Sequence, residues 1–378
     1  MYSRLLKSPQ DKSFFLFGPR GTGKSSWAHA NLGKSLYFDL LESSTFIELV
    51  AAPDRLDMRI PLSHKGWVVI DEVQRIPELL NEVHRLIESR KLKFALTGSS
   101  ARKLRRRGVN LLAGRALSYE MHPLTAFELG EDFRLERSLR FGNLPAAQIE
   151  ADPKGFLASY VTTYLREEVL QEGLTRNLAA FSRFLEAASF SQACVLNISA
   201  VARDCAVERK VVEAYFGILD DLLLAVRLTP FKRRAKRKIV EHPKFYFFDV
   251  GLFRSLRPRG PLDSESDLLG PSLETLVLEE LRAHNAASHL DYQLHYWRTA
   301  AGDEVDFVLY GERGLRAIEV KASSRLRTED FSSLETFLSD YPMAHATLVY
   351  LGRKPFNHGP IEVQPAYDWL PNLGQILK

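Results

Sequence analysis

The stretch that most constrains this chain is Gly18-Pro19-Arg20-Gly21-Thr22-Gly23-Lys24-Ser25, which follows the apolar run Phe14–Phe17 without a break. A short apolar run before a glycine-rich turn reads as a buried strand, and the residues from about Lys24 read as a helix. In that strand–turn–helix setting the pattern G-x-x-x-x-G-K-[ST] is a phosphate-binding loop. Its glycines let backbone N–H groups wrap phosphate oxygens at a helix N-terminus. Lys24 offsets charge on the β/γ-phosphates and the Ser25 hydroxyl reaches a magnesium ion. Gly18, Arg20, Gly21, Thr22, Gly23, Lys24, Ser25 and Ser26 are the expected nucleotide-binding residues, with ATP and Mg2+ as the expected cofactors.

The acidic partner of such a loop is Trp67-Val68-Val69-Ile70-Asp71-Glu72. A buried strand delivers Asp71 to the magnesium shell, and Glu72 beside it polarises the attacking water. A third apolar run, Lys93–Thr97, ends in Thr97-Gly98-Ser99-Ser100, where Ser99 first and Thr97 second are expected to face the γ-phosphate. Runs at 14–18, Tyr37–Leu40, Trp67–Asp71 and Lys93–Thr97 alternate with helical patterns. In Pro77–Arg90, for example, Leu79, Leu80, Val83, Leu86 and Ile87 share one face. Strands alternating with helices predict an open, mainly parallel α/β sheet ending near Phe141–Pro145.

At 378 residues two or three domains are expected. A hydrophobic share of 45% and a charged share of 26% exclude a disordered chain and suit packed cores. No apolar run approaches the ~18 residues that cross a bilayer. The N-terminal residues lack the pattern of a cleaved leader, so a cytoplasmic protein with no membrane partner is expected. The two cysteines, Cys194 and Cys205, have no metal-type spacing.

The stretch Val68–Glu88, together with LTGSS and LLAGRALSYEMHPLTAFEL, resembles the prokaryotic AAA-type P-loop ATPases of unassigned role, in which a C-terminal domain of unknown function follows the ATPase. The resemblance continues through Tyr160–Leu185 and KFYFFDVGLFRSL to GDEVDFV and IEVK. Relatives often carry Gln-Val where this chain has Gly21-Thr22. The resemblance implies an ATPase whose Arg115 sits where such proteins place an arginine that reaches a neighbour's phosphate, which requires a homo-oligomer. A local ion pair is the other reading of Arg115.

The net charge of +4 hides two dense basic clusters. One is Arg102, Lys103, Arg105, Arg106 and Arg107. The other is Lys232, Arg233, Arg234, Lys236, Arg237 and Lys238. Around the second, Ser199–Cys205, Glu208–Leu219, Leu222–Leu228 and Lys244–Phe248 read as helix, helix, strand and strand after a helical region at 153–190. That order suggests a winged helix with the basic segment as its wing, lying along a nucleic-acid backbone. The mixed charges Glu208, Arg209, Lys210 and Glu213 suit DNA without sequence preference. A plain packing module is the rival reading.

From Gly270 a helix (Ser272–Asn285), strands at Leu294–Trp297, Glu304–Tyr310 and Leu315–Lys321, a helix (Asp330–Leu338) and a strand (Ala346–Leu351) are predicted. Alternation on a hairpin puts Glu319 and Lys321 on one face with Asp306 adjoining. Two carboxylates can hold Mg2+ or Mn2+ beside a lysine that positions water, with Glu274 as a further ligand. The pattern resembles the PD-(D/E)xK nucleases, although Val305 stands where proline is common. The expected fold class is therefore an α/β, AAA-type P-loop domain (1–145), a helical linker and winged helix (146–265), and a restriction-endonuclease-like α/β domain (266–378). The expected function is an ATPase acting on nucleic acid with a metal-dependent nuclease domain. The alternatives are a regulatory NTPase that binds a protein partner, or a DNA translocase that uses the nuclease fold only to bind.

Overall fold

Five strands of the N-terminal region form one sheet: β1 (Ser13–Phe17), β2 (Leu36–Asp39), β3 (Trp67–Asp71), β4 (Lys93–Gly98) and β5 (Ala116–Glu120). All neighbours are parallel, in the order β2-β3-β4-β1-β5. The computed structural model describes residues 2–99, 112, 114–165, 169, 177–260 and 264–378. The first basic cluster and Ser100 lie outside these residues. Among the described residues no helix is long and apolar enough to cross a membrane.

Strand β1 is buried at every position, as its unbroken apolar run requires of a strand covered on both faces. On one face Phe14 meets Trp27, Trp67 and Tyr119 edge-on, with ring centroids 6.0, 5.3 and 5.7 Å apart. Phe15 and Phe17 belong to a second cluster with Leu79, Leu80, Val83 and Leu86 of the helix Leu79–Arg90, the face that the helical spacing predicts. Strand β4 separates β1 from β3. The loop after β1 and the acids ending β3 therefore open on either side of the end of β4.

The chain divides into two compact units: Ser3–His122 with Asp221–Leu223, and Pro123–Asp220 with Leu224–Lys378 and Tyr2. The first border falls at His122, not at 145. Leu124, Ala126, Leu129, Phe133, Leu135 and Leu139 enter a cluster with Leu273, Leu276, Leu281 and Trp369 of the second unit. Nor does 265/266 separate two bodies. Strands β6 (Cys194–Val195), β7 (Ala225–Pro230), β8 (Lys244–Phe247), β9 (Gln293–Arg298), β10 (Glu304–Gly311), β11 (Gly314–Lys321), β12 (His345–Tyr350), β13 (Phe356–His358) and β14 (Ile361–Pro365) form one sheet. Its order is β13-β14-β12-β11-β10-β9-β7-β8-β6. The seam is β7 on β9, where Thr229 and Pro230 pair in parallel with His295 and Tyr296.

In the expected helical region, Pro153–Ser159 runs into a π-helical turn at Tyr160–Leu165, and Leu178–Ser189 forms a further helix. The helix predicted to begin at Ser272 starts at Glu265 and runs to Ala287. Gly270-Pro271 reads as a stop, but Ser264 and Asp267 form a capping box upstream of it. Burial of Leu268, Ser272 and Leu273 then outweighs the break in propensity at Pro271.

Candidate nucleotide-binding site

The glycine loop joins β1 to helix α1 (Lys24–Asn31). Gly21 and Gly23 take φ of 81° and 92°, the left-handed region that side chains disfavour. At Gly18 a Cβ would stand 2.4 Å from the Met121 carbonyl oxygen, so only glycine fits between the loop and the chain leaving β5. Lys24 is buried, and its ammonium donates to the carbonyls of Gly18 and Pro19 at 2.8 and 3.1 Å. The Thr22 side chain is buried and donates to Pro19 O, so that residue offers a ligand its backbone rather than its hydroxyl. Arg20, Ser25 and Ser26 are exposed at the mouth of the loop. Arg4 clamps the loop from outside, donating to Thr22 O at 2.7 Å and to His122 O at 2.6 Å.

Asp71 ends β3 and is held on both carboxylate oxygens. Tyr37, from β2, donates to Oδ2 at 2.5 Å, and Thr97, from β4, donates to Oδ1. Burial and the Asp71 carboxylate push the Tyr37 phenol up, so it remains a donor, and its hydroxyl also meets Ser25. Ser25 and Asp71 thus share one hydroxyl as neighbour. An alcohol and a carboxylate brought together are the hard oxygen donors that Mg2+ takes, so the residues fit that ion.

Glu72 carries φ +60°, a conformation worth roughly 1–3 kcal/mol of strain in a residue other than glycine. Its carboxylate is met by the amide of buried Gln74, whose Nε2 also donates to Ser99 Oγ at 2.9 Å. Of the two hydroxyls expected at the γ-phosphate, Thr97 touches Asp71 and Ser99 touches Gln74, the bridge to Glu72. Arg115 donates to Glu88 of the helix Leu79–Arg90 at 2.5 Å, an exposed ion pair that draws the Glu88 carboxyl down.

The second unit brings Asp306 and Glu319 together, as the hairpin alternation predicts, and adds Glu274 from the helix Glu265–Ala287, but with a group beside them that was not expected. The ammonium of Lys244, the first residue of β8, lies 2.9 Å from Glu274 Oε2, 2.7 Å from Glu304 Oε1 and 2.8 Å from Asp306 Oδ1. Burial alone would lower this lysine's pKa, and the carboxylates of Asp306, Glu274 and Glu304 overturn that and hold it charged. Asp306 Oδ2 accepts from Val320 N at 2.9 Å, and Lys321 is paired with Glu319 Oε1 at 2.7 Å. Arg298 pairs with Glu304 at 3.0 Å, and the Tyr246 hydroxyl donates to Glu274 at 3.1 Å. Burial, then Asp306, pushes the Glu274 carboxyl up to about 8, and the same causes raise Glu319. Among the described residues no group of three or more His, Cys, Asp and Glu side chains is arranged to hold a metal. The three ligands expected for Mg2+ or Mn2+ are each engaged by a cation instead, Glu274 and Asp306 by Lys244 and Glu319 by Lys321.

The basic segment after β7 is exposed throughout, yet much of it is engaged by its own unit. Arg237 pairs with buried Asp340 at 2.9 Å, Lys232 with Glu241 at 3.5 Å, and Lys236 donates to Ser339 O at 3.3 Å. Arg233 lies 4.4 Å from the Tyr310 ring centroid and donates to Gln293. Sequence reading missed Arg4, Tyr37, Gln74 and Lys244. The only trace of Lys244 is a lysine opening the otherwise apolar run KFYFF.

Comparison with known proteins gives three family matches. Residues 10–130 match a family described as an AAA domain. Residues 133–263 and 269–369 match two domains of unknown function, DUF8612 and DUF4143. No curated protein matches. Among solved structures, the Aeropyrum pernix Orc1 protein in complex with DNA is 13% identical, with 66% of this chain and 87% of that one covered at a TM-score of 0.26. Protein VC1899 from Vibrio cholerae is 12% identical, with 97% of each chain covered at a TM-score of 0.23. Likenesses so distant carry no inference about fold or ligand. The N-terminal unit is an α/β, parallel-sheet, AAA-like domain, and an AAA domain implies nucleotide binding.

Proposed function

We propose that this chain is a Mg2+-dependent ATPase that acts on DNA without sequence preference, as a homo-oligomer. One observation carries the reading: Lys24, Ser25, Asp71, Glu72, Thr97 and Ser99 stand at the ends of three adjacent parallel strands, with Asp71 and Glu72 each already held in place. In this reading the loop amides and Lys24 bind the phosphates, the lysine exchanging two carbonyl acceptors for phosphate oxygens. Mg2+, when bound, offsets charge on the β- and γ-oxygens. Tyr37 and Thr97 aim Asp71, and Glu72 orients the water that attacks. Arg115 reaches a second copy only by leaving Glu88. The binding step is tested with a fluorescent ATP analogue: Lys24→Ala should weaken affinity about 10- to 100-fold, the loss of a charge-assisted contact of roughly 1.5–3 kcal/mol. Unchanged affinity would remove Lys24 from the site.

Nucleic acid as the partner rests on the exposed basic segment, and on the order of Leu178–Ser189, β6, helices Ile198–Asp204 and Arg209–Asp221, β7 and β8, which suits a winged helix. DNA should raise the ATPase rate. Neutralising Lys232, Arg233, Arg234, Lys236, Arg237 and Lys238 should weaken binding and flatten its salt dependence by about 0.9 in log–log slope per lost phosphate contact. The ion pairs of Arg237 and Lys232 favour a second reading, a regulatory NTPase with a protein partner, in which this segment is a packing element. An unmoved slope and no stimulation by DNA select that second reading.

A further inference from the structure

The hairpin of β10 and β11 brings Asp306 and Glu319 together, and the ammonium of Lys244 already lies against two of the three expected metal ligands, Glu274 and Asp306. Lys244 is almost completely buried, and its ammonium is within 3 Å of three carboxylates drawn from two elements: Glu274 of the helix Glu265–Ala287, and Glu304 and Asp306 of β10. An ammonium with three donors and three carboxylate acceptors is fully satisfied. We infer that Lys244 is the built-in cation of this cluster, standing where a metal would stand, so that the C-terminal unit binds no divalent ion there and does not cleave nucleic acid.

Charge supports the assignment independently of position. Four carboxylates (Glu274, Glu304, Asp306 and Glu319) face three cations (Lys244, Lys321 and Arg298). That leaves at most one surplus negative charge, and fewer because the raised Glu274 and Glu319 carboxyls hold their protons more tightly; this is too little for a divalent ion, which would also have to sit against an ammonium in a buried, low-dielectric site. Evicting Lys244 is no easier, because a buried cation separated from its carboxylates leaves all the groups unpaired. Withdrawing the one positive charge at the centre reverses this balance. With a neutral side chain at 244 the cluster can carry up to two surplus negative charges in a cradle of oxygen ligands, which is what a hard divalent cation requires. The conclusion goes beyond the ATPase reading and does not depend on it.

Mn2+ binding to the nucleotide-free full-length protein, followed by electron paramagnetic resonance, tests this. Wild type and Asp306→Asn should bind the same amount of Mn2+, because Asp306 holds no metal in either. Lys244→Met, which keeps the volume of the side chain, should bind one further Mn2+ per chain, and Lys244→Met/Asp306→Asn should lose it. Wild-type protein should leave supercoiled DNA intact in Mg2+ or Mn2+. The assignment is overturned if wild type binds one more Mn2+ than Asp306→Asn, or nicks DNA in a manner that Asp306→Asn abolishes. It is also overturned if Lys244→Met, folded by circular dichroism, gains no Mn2+. Should Lys244→Met fail to fold, the comparison of wild type with Asp306→Asn decides alone.

Discussion

Glu72→Gln is expected to retain ATP binding and to lower kcat by at least about 100-fold, the low end of what a positioned general base contributes. Glutamine keeps the size and the backbone of the site, and Lys24, Ser25 and Asp71 remain to hold the nucleotide and its ion. What disappears is a carboxylate able to take a proton from the attacking water. The left-handed backbone at Glu72 and the amide of Gln74 on its carboxylate aim this group rather than merely exposing it. Gln74→Leu should therefore lower kcat by about tenfold through misdirection of Glu72, the worth of roughly one hydrogen bond. Adding Gln74→Leu to Glu72→Gln should cost nothing more. Turnover that survives Glu72→Gln under single-turnover conditions would assign the water to another group, and additive losses in the double variant would make Gln74 a structural residue only.

Asp249→Ala is expected to remove about 2–5 kcal/mol from the second unit. Asp249 is fully buried between β8 and the helix Val250–Leu256. Its Oδ1 accepts from Leu252 N at 3.0 Å, capping that helix, and its Oδ2 accepts from Asn143 N at 2.9 Å, fixing the turn that follows the helix Leu135–Phe141. Alanine leaves two buried N–H groups unmet, at ~1–3 kcal/mol each. Neighbouring glycines leave no room for repair: a Cβ at Gly251 would lie 2.1 Å from Phe141 O, and one at Gly142 would lie 2.3 Å from the Asp249 carboxylate. Differential scanning calorimetry separates the outcomes. The transition of the C-terminal unit should fall by several degrees while that of the ATPase-like unit stays, and two unmoved transitions would show that solvent replaces the cap without loss.

The glycine loop and the acidic strand end were legible because their parts are local. The loop Gly18–Ser25 is one contiguous segment whose chemistry is its backbone, and Asp71 and Glu72 end a strand that the apolar run marks by itself. Burial of Leu79, Leu80, Val83 and Leu86 follows from a period written in the sequence, and the same alternation brought Asp306, Glu319 and Lys321 to one hairpin end. Cores shared between distant segments carry no such mark. Residues 124–139 look like a continuation of the first domain, and only packing against the helix Glu265–Ala287 assigns them to the second.

By itself, then, the sequence determined the parallel α/β sheet, the phosphate loop and its acids, and which side chains share a face of each element. Tertiary structure alone decided what those side chains meet. Tyr37 reaches Asp71 across 34 positions, Arg4 reaches His122 across 118, and Lys244 reaches Asp306 across 62. The physical reason is that periodicity reports only whether a position faces water or core, whereas the charge state and partner of a buried polar group depend on every group within a few ångströms. For the carboxylates of the second unit that distinction is the difference between a metal site and one already filled by a lysine.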